Sequence, residues 1–393
     1  RRLNCPVPIL KKASSKRRGR GGDFLALLLL IGLLGGLGWL WWQAKHPEKF
    51  VHKKSPVPAR VVEKVAPSKV QTVAAKPAPL PKVQPVEIKP APPLVPAQLP
   101  VIQPPADFPR PVRDMLEAQI ALARRAISPG SIDAALGSQT RAAIAAFQRA
   151  QNLSPTGSLD TNTRPRLTLD APALTTYTVT TNDLARLQPL GKTWLGKSEQ
   201  TALDYETALE LVAEEGHAHP ALVRQLNPDA TWSNLAAGTV LKIPDVNYPG
   251  PDGKAALVVI HLSQRFLEAF DAETNLLAHF PCSIAAKVEK RPVGELQVIV
   301  IAPNPNYTVN PELFPESAEL QAIGHKLILP PGPNNPVGVA WIGLDKPGYG
   351  MHGTPVPEQV GRTESHGCFR LANWDAEYLL KLVWIGMPVR VEP

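Results

Sequence analysis

The chain has 393 residues, 44 of them proline, with 42 Lys+Arg against 34 Asp+Glu for a formal net charge of +8. That length predicts two to four domains, and three cysteines exclude a disulfide-built fold. The charge is lopsided: residues 1–113 hold 20 Lys+Arg and 5 Asp+Glu, the remainder 22 and 29. The distal, folded part is therefore mildly acidic, which excludes a nucleic-acid partner that would need a basic face.

Residues 24–42 read FLALLLLIGLLGGLGWLWW, apolar without interruption. As a helix at ~1.5 Å per residue they span about 28 Å, close to the ~30 Å hydrocarbon core of a bilayer. Trp39, Trp41 and Trp42 gather at one end, as interfacial anchors do. Lys11, Lys12, Lys16, Arg17, Arg18 and Arg20 precede it, which puts a basic tail, residues 1–22, in the cytoplasm. No small-x-small cleavage site follows in Trp41-Trp42-Gln43-Ala44-Lys45. The pattern predicts an uncleaved single-pass anchor over 23–43 in the inner membrane, with the rest of the chain in the periplasm or cell-wall space. Gly32 and Gly36 have the GxxxG spacing of a helix–helix dimer seam.

Residues 44–113 form a linker rich in Pro, Ala, Val and Lys, with 16 prolines from position 51 onward. Such a segment is poor in backbone donors and builds no packed core. As polyproline II at ~3.1 Å per residue, its last 63 residues reach at most about 200 Å.

From 114 to 170 the pattern changes. Leu116, Ile120 and Ala123, then Ala143, Ile144 and Phe147, recur at helical spacing. Ser128-Pro129-Gly130 and Ser154-Pro155-Thr156-Gly157 punctuate them, which predicts a small three-helix bundle. Gln119, Gly130, Ile132-Asp133, Leu136-Gly137, Thr140, Phe147-Gln148, Gly157, Leu159-Asp160 and Thr163 make it similar to the peptidoglycan-binding helical domain.

Residues 175–246 read strand–helix–helix–strand, an α+β module. Tyr177-Thr178-Val179 opens it, helical stretches follow at 205–214 and 221–226, and Asn227-Pro228 leads to Gly238-Thr239-Val240-Leu241-Lys242-Ile243-Pro244. It resembles a LysM glycan-binding module, which implies glycan strands as a partner; a plain spacer domain is the alternative. The segment 186–204 is longer than that module has between its first strand and first helix.

Residues 254–393 predict a mainly-β antiparallel sandwich. Short β-branched runs occur at 256–260, 296–301, 340–344 and 389–391, between Pro/Gly/Asn loops. One amphipathic helix is expected at 375–383, capped by Asn373 and supported by Asp375. Cys282 reads as a strand residue without a catalytic role.

The chemistry lies in residues 351–373, MHGTPVPEQVGRTESHGCFRLAN. A free thiol titrates near ~8.5, so a nucleophilic cysteine needs help to ionise. Here Cys368 has two imidazoles, His352 and His366, and the Arg370 guanidinium nearby in sequence to take its proton or favour its anion. Gly367 allows a tight turn, and successive backbone N–H groups there suit an oxyanion. The plainer readings are a buried structural cysteine or a zinc site, but three ligands at this spacing match no common zinc pattern.

His352-Gly353, a spacer, Ser365-His366-Gly367-Cys368, Phe369 and Arg370 together closely resemble the active-site signature of the L,D-transpeptidase catalytic domain, YkuD type. Asn335-Pro336, Trp341-Ile342 and Gly348-Tyr349-Gly350 extend the match; Arg291-Pro292-Val293-Gly294 departs from the family's usual Thr-Pro-Thr-Gly. The resemblance implies acyl transfer on peptidoglycan stem tetrapeptides without metal or organic cofactor. Cys368 is then the nucleophile, His352 the base oriented by the Gly353 carbonyl, and His366 a loop or substrate support. Ser365, Gly367 and Arg370 contact substrate or oxyanion. The rivals are an L,D-carboxypeptidase using the same residues and a non-catalytic wall tether.

Overall fold

The structure is a computed structural model that describes residues 107–393 apart from Glu364 and His366. The cytoplasmic tail, the anchor with Gly32 and Gly36, the linker up to 106, and His366 lie outside the described residues. Among the described residues, no helix is long and apolar enough to cross a membrane.

The first module starts inside the stretch whose composition reads as linker. Strand β1 (Arg110–Pro111) pairs antiparallel with β2 (Thr168–Leu169), and Arg110 makes a bidentate ion pair with Glu117 at 2.7 Å. Helix α1 (Met115–Ala123) is capped by Asp114, whose carboxylate accepts from the Glu117 N–H at 2.9 Å. Helix α2 (Ser138–Ala150) follows. The third helix of the expected bundle is only a turn, with Arg164 N–H bonded to Asp160 O and Leu167 N–H to Thr163 O. Pro165 supplies no N–H to extend it. Two buried glutamines order the loops after the helices. Gln119 donates to Asp133, Ala135 O and Thr140, while Gln148 donates to Thr156, Ser158 O and Thr163.

In the second module, β3 (Leu174–Thr178) and β4 (Val240–Pro244) pair antiparallel around four short helices: α3 (Thr181–Arg186), α4 (Trp194–Ser198), α5 (Ala208–Glu215) and α6 (Pro220–Leu226). Asn227 joins the end of α6 to β4, donating to Lys242 O at 2.8 Å and accepting from Lys242 N at 2.7 Å. The two modules are not beads on a string. Ile120, Ile132, Phe147, Leu211, Val223 and Leu241 belong to one hydrophobic cluster.

The third domain differs from the expected pair of antiparallel sheets. Its strands are β5 (Leu257–His261), β6 (Phe266–Phe270), β7 (Leu276–Pro281), β8 (Gly294–Pro303), β11 (Ala340–Leu344), β12 (Gly350–His352), β13 (Phe369–Arg370) and β14 (Pro388–Glu392), with β9 (Tyr307–Val309) and β10 (Leu327–Leu329) as a separate hairpin. The eight make one mixed sheet of order β13-β12-β11-β8-β14-β5-β6-β7, in which β12/β13 and β14/β5 are parallel. β8 makes it continuous: residues 294–297 pair with β14, and 298–303 carry the pairing to β11.

Helix α7 (Ala318–Ile323) is short, whereas helix α8 (Asn373–Leu382) buries Ala376, Leu379 and Leu382 against this sheet. It starts two residues earlier than expected. Its N-cap is Ala372, with no side-chain cap bond, because both expected polar groups serve tertiary contacts. Asn373 accepts from Val339 N at 3.3 Å and donates to Pro333 O at 3.2 Å. Asp375 accepts from Tyr248 Oη at 2.5 Å and from Ser128 Oγ at 3.1 Å, tying the third domain to the first module and to the connection that precedes it.

The second module also presses on the loop before β11. Leu203 N donates to Pro331 O, and Asn334 N donates to Leu203 O, each at 2.9 Å. Gly332 lies between them at φ +142°, and a Cβ there would sit 2.2 Å from Leu203 O. Gly332→Ala is expected to destabilise the chain by about 1–3 kcal/mol in urea unfolding, through backbone overlap plus a conformation that L side chains avoid. Gly250→Ala, with nothing within 4 Å of its Cβ, should leave the midpoint unchanged. Equal midpoints for both variants would refute this docking.

Candidate active site

Alternation along two paired strands assembles the site. β12 and β13 run parallel with Met351 opposite Phe369 and His352 opposite Arg370. Met351 and Phe369 are fully buried in the sheet's core. Neighbours on a strand point to opposite faces, so His352, Arg370 and, two residues before it, Cys368 share the other face. There they line one cavity of about 590 Å³, together with Trp341, Tyr307 and Trp194.

The His352 ring is held on two sides. It stacks on Trp341, its cross-strand neighbour on β11, with centroids 5.5 Å apart and planes 25° from parallel. Its Nδ1 lies 2.6 Å from Gly353 O. A neutral ring that donates from Nδ1 to this carbonyl leaves Nε2 as the acceptor. Gly353 is fixed from below: a Cβ on it would lie 2.2 Å from Asn373 Oδ1, so only glycine lets the start of α8 come this close.

The nucleophile loop is braced internally. Ser365 Oγ donates to Cys368 O at 2.6 Å, and Ser365 N donates to Ile284 O at 2.8 Å. The Gly367 N–H, one of the expected oxyanion donors, points to Ser365 Oγ at 3.3 Å. Cys368 Sγ donates to Gly348 O at 3.3 Å, and Arg370 reaches Thr363 Oγ1 at 3.0 Å. The structure thus brings together Cys368, His352, Gly353, Ser365, Gly367 and Arg370. Cys282 is sealed in the core, its thiol pushed up to about 12 by burial.

Electrostatics depart from the sequence reading. Burial raises the Cys368 thiol to about 11, more than a hydrogen bond from the Gly350 backbone and the Arg370 charge pull it down. Burial lowers His352 to about 4, reinforced by Arg370 and opposed by the bond to Gly353. Desolvation disfavours both charged forms, so the resting pair is thiol and neutral imidazole rather than thiolate and imidazolium. Among the described residues, no group of three or more His, Cys, Asp or Glu is placed to hold a metal.

Trp194, Tyr307 and Phe314 line this cavity and Lys197 an adjoining one, none of them singled out in the sequence. The signal for Trp194 and Lys197 was the overlong segment 186–204 itself.

Comparison with known proteins gives the chain its relatives. The L,D-transpeptidase catalytic domain family, YkuD, matches residues 255–391, and a peptidoglycan-binding domain family matches residues 112–167. L,D-transpeptidase YkuD of Bacillus licheniformis is 25% identical over 185 residues, covering 47% of this chain and 93% of that protein. An L,D-transpeptidase encoded in the ATP synthase subunits region of Fuscovulum blasticum is 31% identical over 139 residues, covering 35% of this chain and 70% of its own. The crystal structure of L,D-transpeptidase 3 from Mycobacterium tuberculosis aligns at 18% identity and a TM-score of 0.28, over 41% of this chain and 77% of that one. On the family match and these sequence relatives, the chain belongs to the L,D-transpeptidase family.

Proposed function

We propose that the chain cross-links peptidoglycan by a cysteine acyl-enzyme. Cys368 Sγ attacks the carbonyl that joins the L-centre of the stem's diamino acid to the terminal D-Ala. The thiol proton passes to Nε2 of His352 and on to the departing D-Ala nitrogen, leaving a thioester. The side-chain amine of a neighbouring stem attacks the thioester, its proton returns through His352 to the sulfur, and a 3→3 cross-link results. Arg370 meets a substrate carboxylate, Ser365 and Gly367 hold the loop that carries the oxyanion donors, and His366 supports that loop or the substrate. The single observation carrying this reading is the shared cavity of Cys368, His352 and Arg370, with Nδ1 of His352 already bonded to Gly353 O.

The placement of the chain belongs to the same proposal. Residues 24–42 anchor it in the inner membrane, Gly32 and Gly36 offer a dimer seam, and the linker carries the folded part to the wall. Residues 112–167 bind peptidoglycan, and 175–246 make a second, LysM-like glycan contact. The antiparallel β3/β4 pair around short helices supports that last reading.

With tetrapeptide muropeptides, Cys368→Ala should release no D-Ala while keeping its fold. His352→Ala should lose about 10²–10⁴-fold in thioester formation, the usual worth of a general base. Cross-linked dimers from the wild type support transfer; trimmed tripeptides alone would reassign it as an L,D-carboxypeptidase, and absent turnover would leave a tether.

The resting neutral pair gives a pH signature. Alkylation of Cys368 by iodoacetamide should keep rising with pH toward a midpoint of about 11. Acylation by a carbapenem needs His352 unprotonated and should persist at pH 5, failing only as pH falls through about 4. A plateau in alkylation at neutral pH would mean an ion pair and overturn this account.

The full chain should stay with carbonate-washed membranes, and deletion of 24–42 should release it. A wild-type chain in the soluble fraction would refute the anchor.

A further inference from the structure

The segment between α3 and α5, residues 187–204, is a built structure. Gln200 closes it, accepting from Gly191 N at 2.9 Å and donating to Pro189 O at 3.0 Å, while Gln188 Nε2 donates to Ala202 O at 2.8 Å. Thr193 caps α4 by accepting from Gly196 N at 3.0 Å. It leans on the catalytic domain throughout. Leu203 is buried in a cluster with Val309, Leu320, Leu327 and Leu329 of the β9–β10 region. Trp194 packs against Phe314 at 5.9 Å, and Leu195 N donates to Glu319 Oε1 at 3.0 Å.

The consequence lies in the cavities. Beside the cavity of Cys368 is a second, of about 550 Å³, and the two share Pro336 and Arg370. Trp194 lines the first and Lys197, three residues later on α4, lines the second. The second cavity is lined by the cations Lys197 and Arg370 and by Thr354, Gln359 and Thr363. Such a wall suits a peptide carboxylate.

We propose that α4 is part of the substrate cleft: Trp194 walls the donor stem beside Cys368, and Lys197 holds a carboxylate of the acceptor stem in the adjoining cavity. The proposal rests on the transpeptidase reading and adds to it two positioning residues supplied from outside the catalytic domain. One short helix then fixes the spacing of both chains across Arg370, which is what amine attack on a thioester requires.

The test uses the full chain, a tetrapeptide muropeptide as donor and a second stem peptide as acceptor. It measures thioester formation by mass spectrometry, KM for each peptide, and the ratio of dimer to hydrolysed tripeptide. Lys197→Ala should raise the acceptor KM several-fold and shift product toward tripeptide, with donor KM and adduct formation unchanged; Lys197→Arg should restore the dimer ratio. Trp194→Leu should do the reverse, raising donor KM alone. Equal shifts of both constants in both variants would reduce the segment to a structural prop and overturn the proposal, as would no shift in either. If the wild type forms an adduct but never a dimer, the acceptor site is overturned while the nucleophile stands. No adduct at all overturns the underlying reading instead.

Discussion

The parallel pairing of β12 with β13 is the constraint on which this molecule depends. A parallel neighbour cannot be reached through a tight hairpin, so the chain must leave β12, make a long excursion and return in the same direction. That excursion is the nucleophile loop. Its register, Met351 to Phe369 and His352 to Arg370, fixes which side chains face the cavity. A slip of one residue would turn Cys368 and Arg370 into the core and bring Phe369 out. The fully buried Met351 and Phe369 make that slip costly, so burial of two apolar side chains sets the position of the reactive ones.

Given that frame, burial also decides the chemistry at rest. A thiol at about 11 is ionised in only about one molecule in 10⁴ at neutral pH. In the proposed acyl transfer the sulfur then stays a thiol until a carbonyl is in place, and the proton moves as the bond forms. This is consistent with the bracing of the base rather than of the sulfur. His352 is pinned by Trp341 and Gly353, whereas the Cys368 thiol donates at 3.3 Å to Gly348 O, a bond it can exchange for the imidazole. A low imidazole value keeps Nε2 available as an acceptor at any ordinary pH.

The sequence was most legible where the chemistry is contiguous. His352, Gly353, Ser365, Gly367, Cys368 and Arg370 fall within 19 residues, so their order alone exposed the site. Most of α8 was readable from the helical recurrence of Ala376, Leu379, Leu380 and Val383, but its cap was not, because Asn373 and Asp375 are engaged by Pro333, Val339, Tyr248 and Ser128 from distant parts of the chain. The continuous sheet was hidden for the same reason: nothing local in residues 294–303 says that one strand changes partners midway. The missing third helix was a local error, since Pro165 was there to be read.

The fused core of the first two modules gives the folded part its working logic. Modules that share Ile120, Phe147, Leu211 and Leu241 cannot swing independently without exposing that apolar surface to water. The catalytic domain is fastened to them at several separated places, among them Ser128 on Asp375, Ala126 and Ser128 on His279, Arg149 on Glu268, and Leu203 on Pro331 and Asn334. The orientation of residues 112–246 relative to the active site is therefore fixed. Segment 187–204 can line the catalytic cavity only because that orientation is fixed.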